Sequence, residues 1–145
     1  MVPCPVTLAD DLELCDEGNE AMDGFIVKPI DEMEAINDAT TRLAGAELGV
    51  ESFGMQVFDF PAGHTDYPEH DHSSDGQEEV YGVLSGSAEF EVGGERVSLD
   101  RERMLRVGAG AKRRLEPGPE GVRILVIGST AGRPYERPEG LQLPS

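Results

Sequence analysis

The chain has no tryptophan, two cysteines and two lysines, and no histidine follows His72. Each shortage excludes something. With no tryptophan and 6% aromatic residues, a wide sugar-stacking platform is not expected. Cys4 and Cys15 are separated by ten residues, which fits neither a metal knuckle nor a C-x-x-C redox pair. They are expected to be free thiols in a reducing compartment. No run approaches the roughly 18 apolar residues that span a bilayer. The first fifteen residues include Asp10, Asp11 and Glu13 and hold no apolar stretch of leader length. A cytoplasmic location is therefore expected. Basic residues number 12 against 29 acidic ones, a formal net charge of −17. Nucleic acids and anionic membranes need a basic face, so neither is an expected partner. There is no G-x-S-x-G, no phosphate loop and no dinucleotide fingerprint.

What the chain does have is a succession of short extended runs between glycine and proline turns. Its 145 residues suffice for one domain with its own core. Gly24–Ile30 is compact and apolar and predicts a strand stopped at Pro29. Asp31 and Glu34 resemble a capping box and predict a short helix. From Phe53 the period becomes two: Phe53, Met55 and Val57 alternate with Phe58 and Phe60, so both faces of this strand are expected to be covered. Val80–Leu84 follows as a strand closed by Ser85-Gly86-Ser87. Ala88, Phe90 and Val92 alternate with Glu89 and Glu91. Gly93-Gly94 predicts a hairpin turn, and Val97 and Leu99 come back inward. Met104–Val107, Lys112–Leu115 and Val122–Ile127 complete eight or nine strands. That pattern predicts an all-β barrel or double-sheet jelly roll. The expected organisation is a strand and short-helix segment over 1–52 packing on the barrel, the barrel over 53–130, and a surface tail over 131–145.

Within this frame the stretch Tyr67–Gly86 carries the chemistry. His70 and His72 are two apart, and on an extended backbone they point to the same side. Glu79 adds a carboxylate. Two imidazoles and a carboxylate on one face suit zinc, iron, manganese or nickel. His64 is a further candidate, if no bulge interrupts the segment carrying Pro68. Tyr81, two after Glu79, shares its parity and could donate a hydrogen bond, though a barrel-wall aromatic is the commoner role. Glu78, Lys112 and Arg114 have outward parity.

The stretch resembles the first signature of the cupin family, G-x5-H-x-H-x3-4-E-x6-G. His70-Asp71-His72 supplies the H-x-H, and Glu79 with Gly86 supplies the E-x6-G. Six residues separate His72 from Glu79, so the turn Ser73-Ser74-Asp75-Gly76 is lengthened. Six residues also separate Gly63 from His70. In the second signature, G-x5-P-x-G-x2-H-x3-N, Gly108 stands at the proline, Gly110 matches, and Arg113 replaces the histidine that would be the fourth ligand. The resemblance runs from about Phe53 to Gly128. It implies a double-stranded β-helix barrel with an irregular amino-terminal segment, a divalent metal site, and pairing as homodimers.

Arg113 sharpens the choice. A guanidinium stays charged and cannot ligate a metal. An unpaired buried Glu79 would cost several kcal/mol, so some cation belongs beside it. A Glu79–Arg113 pair replacing the metal is favoured over an intact centre. A third arrangement keeps both, with metal on the histidines and Arg113 free to bind an anionic group. Three functions follow. The first is binding of a small polar or anionic ligand by Glu79, Tyr81 and Arg113. The second is a metal-dependent oxygenase or isomerase using His70, His72 and Glu79. The third is a non-catalytic scaffold.

Overall fold

The computed structural model describes residues 24–145. The expectations for Cys4, Cys15 and the rest of the first 23 residues lie outside the described residues. Among the described residues seven strands are present: β1 (Ala35–Ile36), β2 (Thr41–Arg42), β3 (Gly54–Phe60), β4 (Gln77–Val92), β5 (Glu95–Leu99), β6 (Met104–Val107) and β7 (Arg113–Thr130). They form one antiparallel sheet in the order β1-β2-β3-β7-β4-β5, with β6 pairing β4 on its other edge. This is an all-β jelly-roll barrel.

Two strands do most of the wrapping. β4 and β7 pair along almost their whole length, with register shifts at Val83/Ser85 and Gly86/Ala88. The sequence suggested two strands and a turn in each of these places. The chain instead runs on as one strand through bulges, because a bulge bends a strand and raises its twist without ending it. Gly86 (φ +77°) and Gly121 (φ +79°) supply the left-handed backbone there. The bent pair serves both halves of the barrel. The first half of β4 holds β6 and the second half holds β5.

Alternation in β3 works as expected. Phe58 and Phe60 face the main core with Tyr81, Phe90, Leu115 and Ile124. Met55 and Val57 face a smaller cluster with Met33 and Ala44. Phe90 and Ile124 are fully buried, and Phe90 meets Tyr81 edge-on at 4.8 Å. The second cluster is closed by α1 (Ala44–Leu48), a helix the sequence reading missed. Five residues, Ala-Gly-Ala-Glu-Leu, give too short a run for a helical period. The signal was Gly49, which ends the helix in the left-handed region (φ 71°) while Val50 N–H bonds back to Gly45 O at 2.9 Å. The helix expected at Asp31 is only a single 3-10 turn, Ile30–Glu32. Gly24–Pro29 is irregular rather than a strand. Among the described residues no helix is long and apolar enough to cross a membrane.

A charge network ties β2, β3 and β7 together on the outer surface. Arg123 bonds both oxygens of Asp59 (2.7 and 3.0 Å), and Arg42 Nε adds a third bond at 2.9 Å. Burial pushes the Asp59 carboxyl up, but these bonds outweigh it and hold the group below the usual carboxylate range.

The turn from β1 to β2 is unusual. Asn37, Asp38 and Ala39 follow one another in the left-handed region, at φ 57°, 58° and 66°. Each such non-glycine residue costs of order 1 kcal/mol, least for Asn and Asp. Ala39 has no side-chain oxygen to bond its own backbone and is exposed. Ala39→Gly should therefore raise unfolding free energy by about 1 kcal/mol in urea titrations. A loss of stability in that variant would mean that the turn is not held in this conformation.

Candidate metal centre and barrel cavity

The His70–His72 segment is not a strand of the sheet but a loop pinned to the start of β7. Arg113 N–H bonds His70 O at 2.9 Å, and His70 N–H bonds Arg113 O at 3.1 Å. His72 N–H bonds Ala109 O at 2.8 Å. The stretch aligned with the second signature therefore docks the stretch carrying the first, and Arg113 lies directly opposite His70.

Both histidines are held by their Nδ1 atoms. His70 Nδ1 lies 3.0 Å from the Pro68 carbonyl oxygen. A carbonyl only accepts, so this nitrogen carries the proton and Nε2 is a lone pair. His72 Nδ1 faces both carboxylate oxygens of Asp75 at 3.2 and 3.3 Å. That fixes its proton in the same way and orients the ring. Asp75 comes from the lengthened turn, so the residues that depart from the signature spacing supply the partner of His72.

Glu79 is shared by several groups. Tyr81 donates to its Oε1 at 2.7 Å, and Gln77 Nε2 donates to Oε2 at 3.2 Å. His72 Nε2 stands 3.4 Å from Oε2, buried and with no hydrogen-bond partner among the described residues. Arg113 Nη1 stands 3.6 Å from Oε1. That is ion-pair range but too long for a hydrogen bond. The guanidinium is fully buried, gives Nη2 to Gly108 O at 2.9 Å, and leaves Nε and Nη1 without partners. There is no bidentate fork between Arg113 and Glu79.

The donor set fits a metal ion. One ligand atom from each of His70, His72 and Glu79 lies within 4.8 Å of the others. A histidine lone pair facing a carboxylate oxygen at 3.4 Å is repulsive unless a proton or a metal ion lies between them. Imidazole Nδ1–H groups bonded to a carboxylate and a carbonyl are the outer contacts that orient metal-ligating histidines. The two oxygens of Glu79 divide the work: Oε2 faces the histidines and Oε1 faces Arg113.

A cavity of about 890 Å³ opens in front of this cluster. Its wall includes His64, Tyr67, His70, His72 and Glu79. Tyr81 and Arg113 stand behind that wall, each 0% exposed. His64 stacks on Phe60 at 4.5 Å between ring centres and is not part of the three-residue cluster. Tyr67, which the sequence reading passed over, reaches the cluster through Tyr81, their hydroxyls 3.0 Å apart. Burial is the main reason that the Tyr67 hydroxyl is pushed up to about 12 and that of Tyr81 is raised further, and the carboxylate of Glu79 adds to it. The signal for this pair was faint: the tyrosines are fourteen positions apart in the chain, and only the folded barrel joins them.

No family model matches the sequence, and no curated protein does. Solved structures do match. A cupin protein from Bacteroides fragilis is 21% identical over 81% of this chain and 93% of its own, with a TM-score of 0.62. A candidate sugar phosphate isomerase from Acidithiobacillus ferrooxidans is 21% identical over 61% of this chain and 56% of its own, at 0.51. The cupin domain of Cnp3 from Schizosaccharomyces pombe is 24% identical over 55% of this chain and 56% of its own, at 0.49. The described residues have the fold of a cupin.

Proposed function

We propose that this cupin holds a divalent metal ion on His70, His72 and Glu79 and binds a small polar molecule in the cavity before it. The observation that carries the reading is the buried, unpartnered Nε2 of His72 aimed at Glu79 Oε2. Three protein ligands leave coordination positions open, and the cavity leads to them. Two imidazoles and a carboxylate suit zinc, iron, manganese or nickel. When bound, the ion would act as a Lewis acid on an oxygen of the ligand. The residues of the chain have separate parts. Asp75 and the Pro68 carbonyl hold the two rings. Gln77 and Tyr81 hold the carboxylate, and Arg113 neutralises its far oxygen. The same open positions would serve a metal-dependent enzyme, the second reading.

Elemental mass spectrometry of untagged protein, purified without chelators, tests this. Close to one metal per chain is expected, and His72→Ala should lose it. Asp75→Asn should weaken metal affinity about 10–100-fold, the usual effect of removing an outer partner of a ligating histidine. A parent protein that takes up none of zinc, iron, manganese or nickel when each is supplied would overturn the proposal.

A further inference from the structure

The charge of the cavity points to what it takes. Its lining contains four carboxylates, from Asp38, Asp66, Asp75 and Glu79, and no lysine or arginine. Asp75 is engaged by His72, and Glu79 belongs to the metal cluster. Asp38 and Asp66 are exposed at the cavity and have no ion-pair partner among the described residues. Residues 1–23 contain no lysine, arginine or histidine, so no side chain there neutralises them either.

The hydrogen-bond inventory has the same sense. Tyr81 gives its one proton to Glu79, so in the bond between the two tyrosines Tyr67 is the donor. The Tyr67 oxygen is then left to the cavity as an acceptor. Asn37 Nδ2 gives one proton to Thr41, the Thr40 hydroxyl bonds Asn37 O, and Gln77 Nε2 gives one proton to Glu79. The donors left over, the second amide protons of Asn37 and Gln77 and those on Gln56, Thr41, Tyr135 and the His64 ring, include none from lysine or arginine. The rings of Phe58 and Tyr67, edge-on at 5.7 Å, form the neighbouring wall, a surface that attracts cations.

We infer that the molecule bound in this cavity carries a positive charge at its outer end, as a small organic ammonium compound or a zwitterion, received by Asp38, Asp66 and the Phe58 ring. This rests on the cavity being the binding site proposed above. It departs from the anionic half of the sequence-based expectation of a small polar or anionic ligand: Arg113, the residue that suggested an anion, lies buried behind Glu79.

The test is calorimetric titration with three probes of similar size: choline, its uncharged isostere 3,3-dimethylbutanol, and succinate. It is run on protein as purified and after treatment with EDTA, with metal content measured in each sample. Choline should bind at least about tenfold more tightly than the isostere, and succinate should not compete with it. The Asp38→Asn/Asp66→Asn double variant should weaken choline binding about tenfold, as loss of two rim carboxylates would, with its metal content unchanged. Equal affinity for the isostere, preference for succinate, or no heat with any probe would overturn the inference. Choline binding by a parent protein that takes up no metal when it is supplied would sink only the metal reading. Metal uptake without choline binding would sink only this one.

Discussion

Arg113→Met should lower unfolding free energy by about 3–5 kcal/mol in metal-free protein, and by clearly less at saturating metal. Methionine roughly keeps the volume, so the loss is not chiefly that of a cavity. It comes from Glu79, whose side chain is only 13% exposed. Without Arg113 its carboxylate keeps two neutral donors, Tyr81 and Gln77, but loses its fixed cation. Breaking a buried pair by removing one partner costs that much because it strands the other charge. A metal on Oε2 would supply the missing cation. The variant should accordingly bind metal more tightly than the parent, by about tenfold, since the ion no longer shares the carboxylate with a guanidinium. Urea titrations of both proteins, with and without added zinc, measure the coupling. An equal loss in both conditions would show that Arg113 and the metal site do not communicate through Glu79.

That arrangement was half legible in the sequence. His70, His72 and Glu79 were readable because local spacing fixes them, and Arg113 because its place in the second signature sets it beside Glu79. The sequence offered metal, arginine or an arrangement with both. The proposal takes the last, since a carboxylate has two oxygens and the fold presents them to different neighbours. Asp75 was in view only as part of a long turn, and nothing in the turn said that it would hold an imidazole. Contacts between distant segments were illegible. Asp59 and Arg123 are 64 residues apart, and the left-handed turn Asn37–Ala39 has no glycine to announce it. The strand expected at Gly24–Ile30 failed for a related reason: an apolar run becomes a strand only where a neighbour offers it a ladder, and the sheet ends at β1.

The largest single effect is expected from Gly86→Ala. Gly86 closes the E-x6-G spacing of the first signature, and the structure gives the physical reason for a glycine there. Its φ is +77°, and a Cβ at this position would collide with the Gly121 carbonyl oxygen and lie 3.1 Å from Val122 Cα. The obstacle is backbone in β7, so no rotamer change relieves it. Gly121 cannot withdraw easily either. It has φ +79° itself, and a Cβ on it would stand 2.9 Å from Phe60 O in β3. Three strands therefore meet at van der Waals distance between two bulges of β4. An added methyl must open that junction, and a loss of about 4 kcal/mol or more is expected, a large part of the stability of a domain this size. Gly94→Ala is the matched comparison. Gly94 also has positive φ, +88°, but its Cβ would meet nothing within 4 Å, so it should cost only the backbone strain, about 1 kcal/mol. Urea midpoints and soluble yield of the two variants separate the terms. Similar losses in both would mean that β4 and β7 can part at the bulge, and that the family's glycine serves its own φ alone. A far larger loss at Gly86 would show that the spacing from Glu79 to Gly86 is set by this crossing, which holds the metal-side half of β4 at a fixed distance from the bend.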